Sequence, residues 1–183
     1  MDFSEQLHQA EIRDSLEKIL SEHCSQENLK EYDSKFKHDK NLLSLLSRNG
    51  YLGLGLNEKY GGSGEDLYDL GILFEQLGYH AAPLSLSGCL VDVAQTMQKF
   101  SNERSCKEIL SSIIAGEIYT SAILEPSNQD PENPMTTATI KNDQLIISGT
   151  KYLSEISSIA KSILISVNSS EGVLLVLVES DKV

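Results

Sequence analysis

The chain has 183 residues, 40% of them hydrophobic, enough to build a core in one domain or in one domain and part of a second. A formal net charge of −12 and an aromatic content of 6%, with no Trp, argue against a nucleic-acid partner. Phosphate contacts need clustered Lys and Arg, and single strands need aromatic platforms.

Cys24, Cys89 and Cys106 are odd in number and widely spaced, with no C-x-x-C pair. That spacing speaks against a disulfide framework or a zinc site and points to a reducing, cytoplasmic setting. His8, His23, His38 and His80 are scattered, and the neighbours His23 and Cys24 point in different directions on a helix, so no metal ligation is expected. The opening Met1-Asp2-Phe3-Ser4-Glu5 has neither the basic nor the apolar region of a signal peptide. No apolar run approaches the ~18 residues of a membrane span.

Ser4 to His23 reads as a helix with Leu7, Ile12, Leu16, Ile19 and Leu20 near one face. Ser25 to Asp39 is polar and charge-rich, a loop or irregular helix rim. Lys40 to Asn49 carries Leu42, Leu43, Leu45 and Leu46 and ends at Gly50, where a left-handed cap belongs. The glycines of Tyr51 to Gly64 resemble a phosphate loop only superficially. Gly53 and Gly55 are followed by Glu58 where the dinucleotide fingerprint has Gly, and no Gly-Lys-Ser/Thr follows. Gly61 to Gly64 therefore reads as permissive backbone. Asp66 to Leu77 repeats apolar residues three and four apart, with Asp66 as cap and Gly78 as stop. Two further helices follow, from Ser87 or Gly88 to Phe100 and from a Ser101 cap through Ile114.

From Ile118 the period changes to that of strands: Tyr119–Leu124, Thr136–Ile140, Gln144–Ser148, Ser162–Val167 and Val173–Glu179. Lys141-Asn142-Asp143 reads as a tight hairpin turn. The strand ending Leu124-Glu125-Pro126 stands at the changeover. By itself it reads first as an ordinary boundary strand, and otherwise as a natural ligand position, because its last backbone groups leave the sheet.

Taken in order, the Tyr-Gly-Gly-Ser-Gly loop, the Asp66 to Gly78 helix, the strand ending Glu-Pro and Ser148-Gly149-Thr150-Lys151 resemble the acyl-CoA dehydrogenases. The opening Asp2 to Gln6, the run Leu52 to Leu56 and Ile159 to Ile165 look similar too. The resemblance covers essentially the whole chain. It implies an α+β fold: an all-α helical domain over 1–117, then the first part of an antiparallel β-barrel or sheet domain over 118–183, with the family's C-terminal helical bundle absent. It also implies FAD as cofactor, an acyl-CoA or acyl-carrier thioester as substrate, an electron-transfer acceptor, and a homo- or hetero-oligomer. The surplus of acidic residues makes an acidic carrier protein the less attractive of the two donors.

In such enzymes a carboxylate removes the acidic hydrogen beside the thioester carbonyl while FAD takes the β-hydrogen as hydride. By resemblance the flavin is met by Ile123 and Leu124 at the strand end and by the segment after Lys151. Counted strictly, that segment places Leu153, Ser154 and Glu155 at the flavin. Shifted by one residue it places Tyr152, Leu153 and Ser154 there, and the shifted register is preferred. Three positions depart from the family pattern. Leu124 stands where a Thr is common, Asp130 where a Ser lies near the pyrophosphate, and Glu155 in the strict register. They motivate a second expectation, a non-catalytic subunit pairing with an active homologue. The family's catalytic base lies in the C-terminal domain, so none of Glu58, Glu75, Glu117 or Glu125 is assigned that role, and the 183 residues are not expected to be active alone. Leu73, Phe74, Leu77 and the stretch near Tyr79 are candidates for lining the acyl tail, at a spacing that suits plain core as well.

Overall fold

The structure is a computed structural model that describes residues 5–183 apart from 36, 37, 65, 129, 143 and 153. Its helices are α1 (Leu7–His23), α2 (Gln26–Lys35), α3 (Lys40–Arg48), α4 (Leu67–Tyr79), α5 (Ala94–Phe100) and α6 (Glu103–Ile114). Its strands are β1 (Tyr119–Ala122), β2 (Thr137–Lys141), β3 (Gln144–Ser148), β4 (Ser162–Ser169) and β5 (Gly172–Glu179). The chain forms two compact units, Met1–Leu84 with Ser101–Gly116, and Ser85–Phe100 with Glu117–Val183.

The first unit is helical. Leu16 and Leu20 of α1, Leu42 and Leu46 of α3, Ile72 and Leu73 of α4, and Leu110 and Ile113 of α6 are all but fully buried. These are the positions at which the three-and-four spacing gathers apolar side chains on one face. Asp39 starts α3, its Oδ1 accepting from the amides of Asn41 and Leu42 at 2.9 Å each. Such a cap contributes about 1 kcal/mol. Asp66 caps α4 through the Tyr68 amide at 2.8 Å. Side-chain pairs fasten α4 to α1: Gln9 Nε2 donates to Asp69 Oδ1 at 3.1 Å, and Arg13 reaches Glu75 at 2.8 Å.

Local boundaries differ from the sequence reading in three places. The polar stretch after Ser25 is a regular helix, α2, begun by the Ser25 hydroxyl accepting from the Asn28 amide. It carries no apolar stripe, so periodicity could not reveal it. Helix α4 runs through Gly78 to Tyr79, and the left-handed residue beyond it is Ala81, with φ +49°. Asn102, not Ser101, caps α6, accepting from the Ser105 amide at 3.0 Å.

The glycine run is a packing device. A Cβ on Gly62 would stand 2.1 Å from the Leu56 carbonyl oxygen. The amides of Gly62, Ser63 and Gly64 are spent on Asn57, Gly53 and Leu56 carbonyls, which leaves them no phosphate to cradle.

In the second unit β4 is the central strand. It pairs antiparallel with β5 over its whole length, from Ser162↔Glu179 to Ser169↔Gly172. Its other edge is shared: β1 runs parallel to its first half, Tyr119↔Ser162 to Ala122↔Ile165, and β2 joins it in parallel at Thr137↔Asn168. β2 and β3 form an antiparallel hairpin through Lys141↔Gln144. Its turn includes Asn142 at φ +53°, while Asp143 of the expected turn lies outside the described residues. The sheet is therefore mixed, where an antiparallel one was expected. Parallel neighbours bury a strand on both faces. Ser162, Ile163, Leu164, Ser166 and Val167 of β4 are all buried. The segment before α5 opens with a π-helical turn, Gly88–Val93, rather than a plain α-helix, and that turn packs on β1. Among the described residues no helix is long and apolar enough to cross a membrane.

Candidate functional site

β1 ends at Ala122, two residues sooner than expected, and the chain leaves the sheet through Ile123 and Leu124. Glu125 then turns inward and is 3% exposed. Its Oε1 accepts from the Thr136 amide at 2.7 Å, the Thr136 hydroxyl at 2.6 Å and the Lys151 ammonium at 2.9 Å. Its Oε2 accepts from the Met135 amide at 2.7 Å. Burial alone would push this carboxyl up, yet the hydrogen bonds from Thr136, Lys151 and the two amides outweigh it and bring its pKa down to about 2. Glu125 is thus a structural carboxylate with its lone pairs filled, and it is not free to act as a base.

Lys151 completes the knot. Its Nζ also donates to Ser166 Oγ at 3.1 Å and to the Ile123 carbonyl at 3.3 Å. The one side chain ties the end of β1 to the loop after β3 and to β4. Two residues of that loop then meet the strand end, for the Tyr152 amide donates to the Leu124 carbonyl at 3.1 Å. Of the five residues expected at a flavin, the structure brings Ile123, Leu124 and Tyr152 together here. Ser154 lies two residues further along, and Leu153 lies outside the described residues.

Two polar groups in this region are unspent. Among the described residues the Leu124 amide has no hydrogen-bond partner. Ser154 Oγ is buried and likewise without a partner. Ser154 lines a cavity of about 450 Å³ together with Ala122, Thr136, Lys151, Ile163 and Ile165.

Two of the three departures are turned to other tasks. The Asp130 carboxylate folds onto its own turn, accepting from the Glu132 amide at 3.0 Å and from Asn133 Nδ2 at 2.8 Å. Those bonds, that from the Asn133 side chain first, hold its pKa below the usual carboxylate range. The Glu155 carboxylate accepts from the Ser85 and Ser87 hydroxyls, each at 2.6 Å. These hydroxyls, Ser85 first, lower its pKa. Glu75 is solvent-facing and paired with Arg13. Leu73 and Leu77 are buried as core residues are, whereas Tyr79 is exposed.

Sequence reasoning missed Thr136 and Ser166, and it gave Lys151 no role beyond its motif. It also passed over the approach of His8, Asp66 and Asp69, whose ligand atoms lie within 4.8 Å of one another. Asp69 there is engaged by Gln9, and Asp66 by the cap of α4.

The sequence matches the family model of the acyl-CoA dehydrogenase N-terminal domain over residues 6–117. The chain belongs to the acyl-CoA dehydrogenase family. It is 29% identical to the acyl-CoA dehydrogenase FadE12 of Mycobacterium tuberculosis over 142 residues, covering 75% of this chain and 36% of that protein. Among solved structures it resembles a variant of the Tcur3481-Tcur3483 steroid ACAD, with a TM-score of 0.87 at 28% identity, over 95% of this chain and 48% of that one. The FAD complex of PigA shares the fold, with a TM-score of 0.85 at 22% identity, over 98% of this chain and 49% of that one. The chain thus spans about half the length of the solved chains it matches and about a third of the curated relative.

Proposed function

We propose that the chain supplies part of the flavin-holding site of an FAD-dependent acyl-CoA dehydrogenase, an oxidoreductase that introduces an α,β double bond into an acyl thioester. The observation that carries this reading is the pair of unspent donors, the Leu124 amide and the buried Ser154 hydroxyl, near a strand end fixed by Lys151 and Glu125. A buried hydroxyl left without a partner costs about 1–3 kcal/mol, so Ser154, which has none among the described residues, is open to a group that completes it. A flavin ring edge offers such acceptors. Ile123, Leu124, Tyr152, Leu153 and Ser154 would hold it, and when bound it would accept the hydride from the substrate's β-carbon.

The chain's own contribution is to position. Lys151 and Glu125 fix the backbone of Ile123 and Leu124, Tyr152 reads the Leu124 carbonyl, and Ser154 offers its hydroxyl. A carboxylate base from the part of the relatives outside these residues would take the proton. The substrate is an acyl-CoA or acyl-carrier thioester, the electrons pass to an electron-transfer acceptor, and the working assembly is a homo- or hetero-oligomer. A cytoplasmic location fits the three free cysteines.

The non-catalytic partner-subunit reading drew on Leu124, Asp130 and Glu155. The last two carboxylates are engaged within their own surroundings rather than presented as free charges, and only Leu124 still argues for it. The experiment is a flavin titration of the protein that contains this chain, followed by absorbance. Bound flavin is expected, and Leu124→Thr is expected to tighten it about fivefold by adding one hydroxyl hydrogen bond of about 1 kcal/mol. A protein that stays colourless with FAD in excess overturns the reading.

A further inference from the structure

Four hydrogen bonds converge on Glu155 from two stretches of chain. Its Oε2 accepts from Ser85 Oγ and Ser87 Oγ at 2.6 Å each and, more weakly, from the Gly88 amide at 3.4 Å. Its carbonyl accepts from Thr120 Oγ1, on β1, at 2.7 Å. The approach is tight, since a Cβ on Gly88 would stand 2.9 Å from that same Thr120 hydroxyl. Charge-assisted bonds of this kind are among the stronger ones in proteins, and these join residues far apart in sequence.

The residues on either side of Glu155 give this anchor a purpose. Ile156 sits at φ +41°, ψ +29°, the left-handed region that a β-branched side chain avoids. A strained residue persists only where its surroundings over-determine it, and such residues gather at functional sites. Ser154, on the other side, carries the buried hydroxyl that has no partner among the described residues.

We infer that Glu155 is a positioning residue: its anchorage to Ser85, Ser87, Gly88 and Thr120 holds Ile156 left-handed and thereby fixes the direction of the Ser154 hydroxyl toward the group it serves. Glu155 does not touch that group and acts through Ser154. The identity of the group as a flavin rests on the reading above, whereas the anchor itself does not.

The test compares Glu155→Ala, Glu155→Gln, Ile156→Gly and the double variant Glu155→Ala with Ile156→Gly, in the protein that contains this chain. Two quantities are read: amide hydrogen exchange across residues 150–158 without flavin, and FAD affinity together with the shape of the bound-flavin absorption band. Glu155→Ala is expected to speed exchange at 152–157 about tenfold. It is also expected to weaken FAD about tenfold and alter the band, which loosening elsewhere in the fold would not do. Glu155→Gln keeps an acceptor oxygen and is expected to stay close to wild type. The double variant is expected to recover most of the loss, because glycine holds a left-handed turn unaided. If Glu155→Ala does not fold, Ser85→Ala with Ser87→Ala removes two of the four bonds and gives the same comparison. Unchanged exchange and unchanged flavin in Glu155→Ala overturn the inference, and so does a double variant no better than the single one. Faster exchange rescued by Ile156→Gly, in a protein whose wild type takes no FAD, upholds the anchor and removes the flavin reading.

Discussion

Glu125 gathers more hydrogen bonds than any other carboxylate described above, and its energetics follow from that. Its pKa of about 2 in the fold lies below the unfolded value of 4.5. The stabilisation this represents is fully present above pH 4.5 and is lost as pH falls from there toward 2. It amounts to about 3 kcal/mol. Replacing Glu125 with Ala would strand Lys151, whose side chain is 8% exposed, beside an empty site. Breaking a buried pair from one side costs about 3 kcal/mol or more, so Glu125→Ala should lower the denaturant midpoint sharply. Glu125→Gln, which retains acceptor and shape, should lose less. In acid titrations followed by circular dichroism, wild type should lose stability across pH 4.5 to 2, and the Gln variant should show a flatter profile there. A wild-type profile already flat between those limits would contradict the assignment of Glu125 as a paired, ionised carboxylate.

Among the elements, those with a strong apolar period were visible in the sequence. α1, α3, α4 and α6 needed only boundary corrections, because burial of one face dictates their spacing. α2 stayed hidden because its ten residues carry no such face, and propensity with a serine at the start decides it instead. The parallel pairing of β1 with β4 was hidden for another reason. Pairing is a property of two strands distant in the chain, and a short apolar run does not declare its neighbour's direction. The site was half legible. Leu124 and Tyr152 were reached through the family resemblance, but Thr136 and Ser166 come to Glu125 and Lys151 only through the fold. The glycine loop was legible in kind, and it sets a sharp expectation. Gly62→Ala drives a Cβ into the backbone of Leu56, so it should destabilise the helical unit by about 2 kcal/mol or more. Gly64→Ala, where open space surrounds the site but φ is +118°, should cost only the backbone strain. Thermal melts of the two variants separate the causes. Equal losses would mean that the 2.1 Å approach is not what Gly62 serves.

At the scale of the whole molecule the sheet leaves much apolar surface uncovered. Ile140 on β2, Leu145 and Ile146 on β3, and Val173 and Leu175 on β5 are all more than a third exposed. Exposed apolar strands at sheet edges invite pairing with other chains. The 183-residue chain by itself should therefore bind a hydrophobic dye such as ANS and associate as its concentration rises. Ile146→Lys with Leu175→Lys should reduce both effects. A chain that stays monomeric and dye-silent at high concentration would show these strands to be shielded in solution. The shared edge of β4 also fixes an order of events in time. Its hairpin with β5 closes through the two-residue tip between Ser169 and Gly172, a local and fast step. β1 must instead close the long loop between Tyr119 and Ser162 before a single ladder bond forms. The β4–β5 hairpin is therefore expected to form first, with β1 joining it later. The knot at the end of β1, with the loop that carries Tyr152 and Ser154, is then expected to be assembled after both.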